Sequence, residues 1–72
     1  MNEVEKLRVL IPHWIEHNEE HASEFQRWAD QVDQVGTEIH AAITAMEKVN
    51  EFLTDALDKL GGQLVSDHFH HD

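Results

Sequence analysis

The run His13-Trp14-Ile15-Glu16-His17-Asn18-Glu19-Glu20-His21-Ala22-Ser23-Glu24-Phe25-Gln26-Arg27-Trp28 contains no glycine or proline and reads as one helix. At about 100° per residue, His13, His17, Glu20, His21 and Glu24 share one face, with Trp28 at its edge. His17 and His21 are four residues apart, which stacks two imidazoles on successive turns as in helical His-x-x-x-His zinc sites. His13 extends the row by a further turn, and Glu20 and Glu24 each follow a histidine by three residues. Mixed imidazole and carboxylate donors suit divalent zinc, iron, nickel, cobalt or manganese without choosing among them. The expected site is therefore a transition-metal site with His13, His17, Glu20, His21 and Glu24 as ligands or their orienting partners. Trp14, Phe25 and Trp28 read as packing residues.

Outward from this run, helix formers extend from Asn2 to Val35, with Leu7, Leu10, Trp14, Phe25, Trp28 and Val32 as the apolar side. Pro12 lacks the N–H a helix interior needs, which predicts a kink or break near Val9 to Ile11, or a helix restarting with Pro12 in its first turn. Gly36 and Thr37 read as a stop and an N-cap. A second stripe follows through Ile39, Ala42, Met46, Val49, Leu53, Ala56, Leu57 and Leu60, ended by Gly61 and Gly62. No alternating strand pattern occurs. The fold class is all-α, an antiparallel two-helix hairpin over residues 1–62. With the turn at Gly36, residues whose numbers sum to about 72 lie level, placing His21 near Glu51 and Glu24 near Glu47 or Lys48. His40 reads as solvated. Residues 63–72 read as a flexible histidine-rich tail in which Asp67, His68, His70, His71 and Asp72 offer loose metal donors without selectivity.

A chain of 72 residues without cysteine has neither a large core nor a disulfide to stabilise it. Its hairpin exposes an apolar face that needs a partner, and a homodimer forming a four-helix bundle, or a higher oligomer built from it, is the simplest. Fifteen acidic residues against five basic ones give a net charge of -10, which repels nucleic acids and anionic membranes and attracts cations. Seven histidines in so short a chain reinforce the metal reading. No stretch approaches the roughly 20 apolar residues of a membrane span, and no signal peptide is visible, so a cytoplasmic protein is expected. There is no glycine-rich phosphate loop, and Ser23 and Ser66 lack a nucleophile-elbow context.

Residues 13 to 22, His-Trp-Ile-Glu-His-Asn-Glu-Glu-His-Ala, with Phe25, Trp28 and Ala29, resemble a small helical domain of unassigned function found in prokaryotes. The resemblance runs from about Leu7 to Gly62 and implies a helical hairpin with no established activity. A looser resemblance is to the encapsulated ferritin proteins, whose two-helix subunits dimerise into a four-helix bundle with a di-iron site at the interface. That family uses a Glu-x-x-His motif, whereas Asn18 stands three residues before His21 here, so only Glu20, His21 and Glu24 carry over. The leading reading is a non-catalytic module for metal storage, sensing or delivery. A ferritin-like di-iron oxidase is the second, and a structural interaction hairpin without metal the third.

Overall fold

The computed structural model describes residues 1–64. They form helix α1 (Glu3–Gln31), a short 3-10 turn (Asp33–Val35) and helix α2 (Gly36–Lys59), with no strand among the described residues. The expected all-helical hairpin is what the chain adopts. Among the described residues no helix is long and apolar enough to cross a membrane.

Local chemistry sets the helix ends. Asn2 Oδ1 accepts from the Glu5 N–H at 2.8 Å and Glu5 Oε1 accepts from the Asn2 N–H at 3.2 Å, a reciprocal capping box that satisfies two free donors. At the far end of α2, Gly62 N–H donates to Leu57 O and Gly61 N–H to Asp58 O, at 2.9 and 3.1 Å. This is a Schellman ending, and it uses left-handed backbone at Gly61 (φ 105°) and Gly62 (φ 88°), where a side chain is strained. Both glycines therefore end the helix as expected.

The two helices meet along a seam whose residues alternate three and four apart. On α1 it runs from Arg8 through Ile11, Ile15, Asn18, Ala22 and Phe25 to Ala29; on α2 it runs from Gly36 through Ile39, Ile43, Met46, Asn50, Leu53 and Leu57 to Leu60. This is the heptad rhythm of a coiled coil, and every one of these positions is buried or half-buried. Among the described residues only Ile11 and Ala29 reach full burial as apolar side chains, at 3% and 4% exposure.

Several expectations change here. The apolar stripe read on α1 is not the inward one: Phe25 faces α2, but Trp14 and Trp28 stay 43% and 49% exposed, and Leu7, Leu10 and Val32 are exposed too. On α2, Met46, Leu53, Leu57 and Leu60 join the seam while Ala42, Val49 and Ala56 do not. Each helix carries two three-four rows about a quarter turn apart, and the seam takes the row in which Asn18 meets Asn50. Gly36 is not a stop but the first residue of α2, in helical conformation (φ -60°, ψ -41°) and buried. Its bare Cα lies close to α1, since a Cβ there would sit 3.6 Å from Ala29 O. Val35 occupies the N-cap position, and no side chain caps the helix.

Asn18 and Asn50 are the polar members of the seam. Asn18 Nδ2 donates to Asn50 Oδ1 at 2.9 Å, and Asn50 Nδ2 reaches Ile15 O at 3.5 Å. A shifted register would leave these amides facing apolar neighbours, so the pair specifies alignment. Asn18 opposite Asn50 and Gln26 beside His40 mean that residues summing to about 67 lie level, not 72. The hairpin turns midway between Gln31 and Gly36 rather than at Gly36. His21 is thus level with Met46 and Glu47.

Pro12 neither breaks nor restarts α1, which is continuous from Glu3 to Gln31. Proline deprives the carbonyl four residues back, that of Arg8, of its helical donor. Leu64 N–H supplies the replacement, donating to Arg8 O at 3.3 Å. The Arg8 side chain completes the junction, with Nε donating to Gly62 O at 2.7 Å and Nη2 to Gly61 O at 3.3 Å. The lost hydrogen bond becomes the anchor for the chain leaving α2. Of the stretch expected as a tail, Gln63 and Leu64 are described and Leu64 is half-buried; residues 65–72 lie outside the described residues.

Candidate functional site

His13, His17, Glu20, His21 and Glu24 all lie on α1, and all are exposed. Counting from the seam, His17, His21 and Glu24 occupy one flank of the helix, in the same three-four row as Leu7, Leu10, Trp14 and Trp28. His13 and Glu20 sit further round, on the side directed away from α2.

Within the row, His21 Nδ1 lies 3.7 Å from Glu24 Oε1, and the His21 ring stacks on Phe25 with centroids 6.4 Å apart and planes at 28°. Phe25 is part of the seam, so the imidazole rests on a fixed platform with its carboxylate beside it. Arg27 lies over Trp28, its guanidinium carbon 5.7 Å from the ring centroid, a cation–π contact that holds the indole at the end of the row.

Among the described residues, no three histidine, aspartate or glutamate side chains gather around a point where one ion could sit. The hairpin alone brings donors together in pairs. Helix α2 adds no donor on this flank at the level of His21, where it presents Ala45 and Val49. Glu47 and Glu51, expected near the histidine row, line a shallow groove on the opposite flank with Glu19 and Ser23. His40 is on that side too, 3.1 Å from Gln26 Nε2, which also donates to Asp30 Oδ1 at 2.9 Å. The tail group Asp67, His68, His70, His71 and Asp72 lies outside the described residues.

Two features escape a reading of each helix by itself. The Asn18–Asn50 pair is visible only once both seams are aligned, although a polar residue interrupting each three-four stripe is its signal. The anchoring role of Arg8 depends on residues more than fifty positions away.

The row and both helices fall within a stretch, residues 7–60, that matches the family model described as a domain of unknown function, DUF8180. The chain belongs to that family. The family match begins at Leu7, one turn into α1, and ends at Leu60, the residue closing α2, so the family unit is the hairpin itself. One relative, an uncharacterised protein of Archaeoglobus fulgidus, is 31% identical over 62 residues, covering 81% of this chain and all of the relative. No solved structure matches the chain.

Proposed function

We propose that this chain is a binding module for a divalent transition metal, holding the ion for storage, sensing or delivery through His13, His17, Glu20, His21 and Glu24. The observation that carries the reading is the row itself: His17 and His21 one turn apart, with Glu24 Oε1 3.7 Å from His21 Nδ1 on an exposed face of α1. Zinc, iron, nickel and cobalt all accept such donors. The net charge of -10 favours accumulation of cations at the surface.

A homodimeric four-helix bundle is the assembly we assign to it. Both Trp14 and Trp28 remain about half exposed on a hairpin that fully buries only two apolar side chains, and such a small unit gains stability by covering them. Binding without turnover is favoured over oxidase chemistry. Asn18 stands where a Glu-x-x-His motif would place a carboxylate, and its amide is engaged by Asn50. Elemental analysis of untagged protein purified without a metal column tests the proposal. A transition metal retained through dialysis is expected, and metal-free protein that also takes up no added zinc, nickel, cobalt or iron contradicts it.

A further inference from the structure

We infer that the flank carrying Trp14, His21 and Trp28 is covered by a second copy of this chain, related by a two-fold axis crossing α1 level with His21. The metal site is then completed across that axis, a part of the inference that rests on the metal-binding reading above.

Both helices contribute to one side of the hairpin. Gln26 and His40 meet on the far flank, and the groove there draws on both helices, so the remaining flanks of α1 and α2 also face a common direction. On α1 that flank shows the Leu7-to-Trp28 row. On α2 it shows Ala42, Ala45, Val49, Phe52 and Ala56, all exposed, with Phe52 at 67%.

The α1 row is self-complementary about His21. Trp14 and Trp28 stand seven residues to either side, Leu10 mirrors Val32, and His17 and Glu24 lie four residues before and three after. An antiparallel copy therefore sets like against like. The α2 row has its own centre, near Glu47, where the matching is large against small: Phe52 mirrors Ala42 and Val49 mirrors Ala45. The hairpin register independently places His21 level with Met46 and Glu47, since Asn18 is opposite Asn50 and Gln26 is beside His40. Two unrelated patterns thus give the same axis, and a residue meeting its own copy is what an isologous interface requires.

Charge agrees with an occupant as acidic as the chain itself. Between Leu7 and Lys59 only Glu24 and Glu38 place carboxylates in these two rows, although the chain carries fifteen acidic residues. A face about 40 Å long and two helices wide offers on the order of 800 Å² per partner, the size of a standard stable interface. The other two-fold packing, with α1 over the partner's α2, would seat His21 on Ala45 and Val49 and bury imidazoles without polar partners.

Across the inferred axis His21 meets its copy, and His17 comes level with Glu24 of the partner subunit. Three donors from each chain converge where one hairpin supplies only pairs. His13 and Glu20 remain at the rim.

The chain has no cysteine, so a single introduced thiol reports this contact without background. Oxidised in the absence of metal, full-length His21→Cys is expected to lose its monomer band to a disulfide-linked dimer, while Ser23→Cys, on the opposite flank, stays monomeric. Equal linking of both variants, or none at His21→Cys, overturns the inference. Sedimentation equilibrium of the unmodified chain supplies a second measurement. A species at twice 8.4 kDa is expected, and Phe52→Glu, a position already exposed in the hairpin, is expected to reduce it to monomer. A dimer that links through His21→Cys but takes up no metal keeps this surface and removes the metal reading. A chain that binds metal while remaining monomeric does the reverse.

Discussion

Zinc at about 100 times its dissociation constant is expected to raise the melting temperature of the wild-type chain by roughly 10–20 °C and to leave His17→Ala/His21→Ala unchanged. Ligand present in that excess stabilises a folded state by about 2.7 kcal/mol. In a domain of this size each kcal/mol shifts the midpoint by about 4–8 °C. Both histidines are exposed in the hairpin and alanine is the better helix former, so the double variant keeps its helices. His40→Ala, on the opposite flank beside Gln26, should respond to zinc like wild type. A full thermal shift in the double variant would move the site away from α1. Thermal melts followed by helical circular dichroism read all three proteins directly.

Pro12→Ala is expected to stabilise the chain by about 2–3 kcal/mol, the cost proline imposes inside a helix, raising the midpoint by roughly 10–20 °C. The new N–H at position 12 restores the helical bond to Arg8 O and competes with Leu64 N–H for that acceptor. The Leu64 amide should therefore exchange with solvent faster in the variant even as the hairpin melts later. Hydrogen exchange at that single amide separates this account from one in which Pro12 merely fills space. A lower melting temperature with Leu64 still protected would show that the proline ring, half-buried beside the seam, contributes more by packing than its missing N–H costs.

Much of the hairpin was legible because its signals are local. The uninterrupted His13–Trp28 run marks the first helix and Gly61–Gly62 closes the second, and both statements depend only on neighbouring residues. Which stripe of α1 turns inward was not legible from that helix alone. Trp14 and Trp28 carry more apolar surface than Ile11, Ala22 and Ala29, so a count of hydrophobic area selects the outer row. The choice is made by α2, whose own three-four row includes Asn50, matched to Asn18. Pro12 was misjudged for a similar reason: the donor that rescues Arg8 O comes from Leu64, which no reading of the first helix would consult. At the site, the ligand row was legible as spacing on one face. Its convergence was not, since a single helix offers donors along a line and a metal gathers them around a point.

That the α1 row, and not the tail, holds the metal is the central claim. It is tested most directly by equilibrium dialysis of the full-length chain with His68, His70 and His71 replaced by alanine, against zinc. Saturable uptake undiminished from wild type in its tightest sites is the predicted result. Uptake that disappears with the three tail histidines would contradict the account.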